Sequence, residues 1–101
     1  MDPFERIQAM QALLLEREEL VTRFTKFLDE FETKQDDFQR LSAYYGSGDW
    51  FSDVEAYDTN QLPEGHNYAI LGEDEPYDIL VEQYKLAIRM LEIATSIIKH
   101  T

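Results

Sequence analysis

The stretch Tyr77-Asp78-Ile79-Leu80-Val81-Glu82-Gln83-Tyr84-Lys85-Leu86-Ala87-Ile88-Arg89-Met90-Leu91-Glu92-Ile93-Ala94-Thr95-Ser96-Ile97-Ile98-Lys99 decides the fold. Its polar positions Asp78, Glu82, Lys85, Arg89, Glu92, Ser96 and Lys99 follow one another at steps of four and three in strict alternation. On a helix of about 3.6 residues per turn they form one narrow strip. Nearly everything between them is apolar, from Ile79, Leu80 and Val81 to Ile97 and Ile98. Such a helix is apolar over more than half its circumference, and one neighbouring helix cannot cover it. It is expected to be a hub for the rest of the chain and for a second chain.

Moving back from the hub, Glu73-Asp74-Glu75-Pro76 opens this helix. Three acids suit the positive end of the helix dipole, and proline is tolerated in a first turn. Gly72 breaks the chain before it, and Tyr68-Ala69-Ile70-Leu71 is an apolar plug too short to classify by period. Thr59 to Asn67 reads as loop, punctuated by Leu62-Pro63 and Glu64-Gly65. In Asp49-Trp50-Phe51-Ser52-Asp53-Val54-Glu55-Ala56-Tyr57-Asp58, the residues Trp50, Val54 and Tyr57 fall at i, i+4 and i+7. That spacing predicts a short helix, with Asp49 placed to cap it.

Gly46-Ser47-Gly48 ends a much longer helical stretch, since Phe4 to Tyr45 contains neither Gly nor Pro. Phe24, Phe31, Phe38 and Tyr45 step by sevens, as the seam of a bundle does, and Leu13, Leu20, Phe27 and Leu41 widen the stripe. Asp2 can cap, with Pro3 at the first helical position. Glu32 to Asp37 holds no large apolar residue, so a bend is expected there. Some forty residues at about 1.5 Å each make roughly 60 Å, against roughly 36 Å for the closing helix. An antiparallel partner so much longer overhangs, and two chains side by side cover both surplus stripes. The expectation is a single all-α domain over residues 1–101. In it a long N-terminal helix runs antiparallel to the C-terminal one, a short middle helix sits in an acidic connection, and two copies form a four-helix-bundle-type homodimer.

One hundred and one residues support one modest core. The absence of cysteine removes disulfides and thiolate metal sites. The start Met1-Asp2-Pro3-Phe4-Glu5-Arg6 lacks the layout of a signal peptide, and no apolar run approaches the roughly 20 residues of a membrane span. A cytoplasmic location is the resulting expectation. The formal charge of −12 is unevenly spread, for residues 46–76 carry eight acids and no Lys or Arg. Such a segment repels nucleic-acid phosphates and anionic lipid and attracts basic partners. Neither a nucleic-acid nor a membrane partner is expected.

Tyr44-Tyr45-Gly46-Ser47 followed by Asp49-Trp50 resembles a bacterial family catalogued as domain of unknown function 4298. The resemblance extends through Leu62-Pro63, Leu71, Glu73-Asp74 and Tyr77-Asp78-Ile79-Leu80 to Arg89-Met90-Leu91-Glu92, and at the front through Glu5-Arg6-Ile7 and Met10. Gly72 stands where the family pattern has a capping Ser, and Glu64-Gly65-His66-Asn67 replaces a more basic stretch. The resemblance implies a small helical protein of a bacterium or phage and supplies no catalytic residues.

Residue chemistry points the same way. A di-iron bundle needs a Glu-x-x-His pair on each of two helices, and the histidines here, His66 and His100, offer none. Asp49, Asp53, Glu55 and Asp58 lack the alternation and glycine of an EF-hand loop. Ser47 lies in Gly-Ser-Gly, which is a helix stop and not a nucleophile elbow. No glycine run is followed by the Lys of a phosphate cradle. No cofactor is expected. What remains is a tyrosine-rich, acid-rimmed segment, Tyr44, Tyr45, Asp49, Trp50, Asp53, Glu55, Tyr57 and Asp58, as a candidate surface for a basic protein. Its plain alternative is that the rings are core and the acids keep the chain in solution. The leading reading is a non-catalytic interaction or regulatory module. The alternatives are a small enzyme or ligand carrier with an inter-helix pocket, or an acidic mimic of nucleic acid.

Overall fold

The computed structural model describes residues 2–101, and the protein is all-α. Its elements are α1 (Pro3–Thr33), α2 (Gln35–Tyr44), α3 (Gly48–Asp58), a 3-10 turn (Ala69–Leu71) and α4 (Asp74–Lys99). No strand occurs among the described residues. The chain divides into two compact units, Met1–Gln39 and Arg40–Thr101, with the division inside α2.

In the first unit, the Asp2 carboxylate accepts the Glu5 N–H at 3.0 Å and Pro3 opens α1, so the helix starts as its cap residues dictate. The helical run from Phe4 to Tyr45 is divided into two helices within the Glu32–Asp37 region where a bend is expected. Lys34, at φ −92° and ψ 3°, stands between them and sends its N–H to the Glu30 and Glu32 carbonyls. The next turn resumes with the Phe38 N–H on the Lys34 carbonyl at 3.1 Å. The break lies in the stretch without large apolar residues, where no packing holds the helix straight. Local polar groups also compete for its backbone: the Thr33 hydroxyl donates to the Asp29 carbonyl at 2.8 Å, and the Gln35 side-chain amide donates to the Phe31 carbonyl at 3.3 Å. No residue of α1 is buried, and its apolar stripe faces outward, Phe24 being 57% exposed and Phe27 67%.

In the second unit, Gly46 at φ +78° ends the helical run in the left-handed region that costs glycine nothing. The cap of α3 is Ser47, whose Oγ accepts the Trp50 N–H at 3.2 Å, and not Asp49, which falls inside the first turn. Gly48 is helical, so α3 starts two residues earlier than a cap at Asp49 would place it, and the capping role moves back to Ser47. The apolar plug forms the 3-10 turn, entered where the Asn67 side-chain oxygen accepts the Ala69 N–H at 2.9 Å. This turn packs on α3 and on α4. α4 begins without a side-chain cap but with Asp74 and Glu75 in its first turn and Pro76 buried. Leu80 and Val81 are half-buried near the turn, while further along Leu91 is 69% exposed and Ile98 76%. Among the described residues no helix is long and apolar enough to cross a membrane.

Candidate functional site

Trp50 is the one large apolar side chain buried among the described residues, at 6% exposure. Its position on the first turn of α3 aims the indole N–H at the Ile70 carbonyl of the 3-10 turn, 2.8 Å away. The ring thus pins the short helix to that turn. Burial of a polar N–H demands such a partner. Two further rings meet the indole edge-on. Tyr45 lies at 5.3 Å and 79° between planes, and Phe51 at 5.0 Å and 79°. Perpendicular contacts of this kind match the positive edge of one ring to the negative face of another. The Tyr45 hydroxyl donates to the Glu73 carbonyl at 3.1 Å, which ties the end of the 40–45 segment to the entry of α4.

These groups line a cleft of about 490 Å³, completed by Gly46, Asp74 and Tyr77. Phe51 and Tyr77 are 62% and 58% exposed. The cleft therefore joins two hydrogen-bonded rings, Trp50 and Tyr45, to two exposed ones, Phe51 and Tyr77, with Glu73 and Asp74 in its lining.

The remaining sequence candidates do not converge on it. The Tyr44 hydroxyl donates to the Asp53 carboxylate at 2.6 Å. That hydrogen bond, with partial desolvation and the charges of Asp53 and Asp49, pushes the phenol up to about 12. Tyr57 meets Tyr68 at 5.4 Å and 60°, and Tyr68 donates its hydroxyl to the Pro63 carbonyl at 2.6 Å. Tyr57, Asp58, Tyr68 and His66 border a separate hollow of about 440 Å³ formed by the 58–68 loop. Glu55 is exposed on α3, where its backbone carbonyl accepts the Thr59 N–H at 3.0 Å. The eight residues thus fall into separate settings: Tyr45 and Trp50 in the aromatic cleft, Tyr44 and Asp53 with Asp49 as a paired surface group, Tyr57 and Asp58 on the loop hollow, and Glu55 exposed on the helix. Among the described residues no group of three His, Asp or Glu side chains is placed to hold a metal ion.

Sequence reasoning left Phe51, Glu73, Asp74 and Tyr77 out of the candidate set. Phe51 carried a usable signal, since it falls in the same cluster of aromatic residues as Tyr45 and Trp50. Tyr77 carried none, because an aperiodic loop separates it from α3 and only the 3-10 turn brings it back.

A family model described as "Domain of unknown function (DUF4298)" matches residues 7–93, from the front of α1 to well inside α4. No curated protein and no solved structure matches the chain.

Proposed function

The chain belongs to the domain of unknown function 4298 family, whose description carries no activity, and we propose that it is a non-catalytic, self-associating interaction module. The carrying observation is the pair of uncovered apolar helices. Along α1, Ile7, Met10, Leu14, Val21, Phe24 and Phe31 are all exposed, and along α4 so are Ile88, Leu91, Ile93, Ile97 and Ile98. Large contiguous apolar surface on this scale marks an association face. The occupant that fits both helices is the same pair from a second copy, the long helix and the closing helix running antiparallel in a four-helix bundle. A closed two-fold arrangement presents each stripe to its own kind and leaves no edge for further growth. The acidic connection, with no Lys or Arg from 46 to 76, is then the surface offered to a basic partner.

Sedimentation equilibrium tests the reading. The expected mass at micromolar concentration is about 24 kDa, two chains of 11.9 kDa. A mass of 11.9 kDa throughout that range would remove the bundle.

A further inference from the structure

We propose that the aromatic cleft between the first turns of α3 and α4 binds the guanidinium of an arginine side chain presented by a basic protein partner. The inference rests on the interaction reading above and assigns the site at which that partner is read. Tyr45, Trp50, Phe51 and Tyr77 line the cleft, and aromatic faces attract a cation within about 6 Å of the ring centre. Two of the four rings are fixed before any ligand arrives, Trp50 by the Ile70 carbonyl and Tyr45 by the Glu73 carbonyl. Fixed rings lose little freedom on binding, which is what makes a small contact area effective. Phe51 and Tyr77 remain open to the entering group.

Charge selects the sign of the ligand. The N-terminus of α4 carries about half a positive charge, which alone favours an anion. Glu73 and Asp74 are in the lining of the same cleft and Glu75 follows in the first turn, so the formal negative charge at this helix start exceeds the dipole's half charge and disfavours an anion. No Lys or Arg lies between residues 46 and 76 to neutralise them. Arginine fits better than lysine for a geometric reason. Its planar guanidinium stacks flat on a ring while its fork of donors reaches a carboxylate, whereas an ammonium is a compact and strongly hydrated point charge.

Trp50 is the only tryptophan, so its fluorescence reports the cleft directly. The test titrates the full chain with a short capped peptide of two arginines between glycines, alongside peptides with lysine or the neutral isostere citrulline in their place. The arginine peptide is expected to change Trp50 emission saturably, the lysine peptide more weakly, and the citrulline peptide not at all. Tyr77→Ala and, separately, Phe51→Leu should each weaken the arginine peptide by about threefold to thirtyfold. The paired change Glu73→Gln with Asp74→Asn should weaken it at least as much. The aromatic side chains changed are exposed, and far-ultraviolet circular dichroism verifies that each variant keeps its helices. Equal affinity for the lysine peptide, or unchanged arginine affinity in both aromatic variants, assigns the binding to diffuse acidic surface and overturns the proposal. Sedimentation of the same samples reads self-association separately, so failure of peptide binding is distinguishable from failure of the bundle.

Discussion

At the scale of single residues, Trp50 and Tyr44 show how one hydrogen bond separates a structural ring from a titrating one. Trp50 is buried and its N–H is satisfied, so removing the ring leaves a hole and an orphaned Ile70 carbonyl. Trp50→Ala should cost about 3–5 kcal/mol of stability, measured by urea denaturation. Trp50→Phe keeps most of the packing and loses the hydrogen bond, so about 1–2 kcal/mol is expected. Equal losses in the two variants would show that the carbonyl contact carries the ring's whole contribution. Tyr44 behaves differently, because its bond to Asp53 favours the protonated phenol and raises it from 10.0 to about 12. A group raised in the folded state contributes stability that is fully present below the unfolded value. That contribution is therefore constant below about pH 10 and is lost as pH rises towards 12. In the ultraviolet titration of phenolate, Tyr44→Phe should delete a component at the alkaline end, and Asp53→Asn should move that component down. A Tyr44→Phe titration missing a component near 10 instead would contradict the Tyr44–Asp53 bond.

At the scale of elements, the helices were legible where period and caps agreed, and their joints were not. The alternating steps from Asp78 to Lys99 and the Asp2-Pro3 start define α4 and α1, because both signals depend only on neighbours within a turn or two. The break at Lys34 was legible only as a region, since the sequence shows the absence of apolar residues but not which backbone carbonyl gives way. The cap of α3 was misplaced because Asp and Ser are equally good caps, and the choice rests on whether Gly48 is helical. A direct comparison follows. Ser47→Ala should cost about 1 kcal/mol, while Asp49→Asn should cost little, since Asp49 contributes to the first turn only through its charge. Gly46→Ala should cost about 1 kcal/mol or more, because alanine is strained at φ +78°. Thermal denaturation of the three variants orders them, and a larger loss for Asp49→Asn than for Ser47→Ala would return the cap to Asp49. The cleft was half legible. Tyr45 and Trp50 announce themselves by clustering, whereas Tyr77 joins them through the Ile70–Leu71 turn, whose course no periodicity encodes.

At the scale of the molecule, burial sets the terms for association. Ordering a residue costs about 1–2 kcal/mol of backbone entropy, and apolar burial must offset most of it. A chain of 101 residues whose described part buries one large apolar side chain does not meet that requirement alone. In the proposed self-associating module α1 and α4 gain their cover from a second copy, and folding and assembly are then one equilibrium. Its signature is a thermal midpoint that rises with protein concentration, which a monomeric two-state fold does not show. Two substitutions locate the faces. Ile93→Asp on α4 and Phe24→Asp on α1 each place a carboxylate where the bundle needs an apolar contact, at a cost of several kcal/mol if the site is desolvated. On the isolated chain these positions are 51% and 57% exposed, and the same changes there should cost within about 0.5 kcal/mol. The two accounts thus differ by an order of magnitude in one measurement. Loss of the concentration dependence together with helicity in both variants places both stripes at the interface. If α1 tolerates Phe24→Asp while α4 does not tolerate Ile93→Asp, two closing helices form the contact by themselves, and the four-helix arrangement is wrong even though the dimer is right.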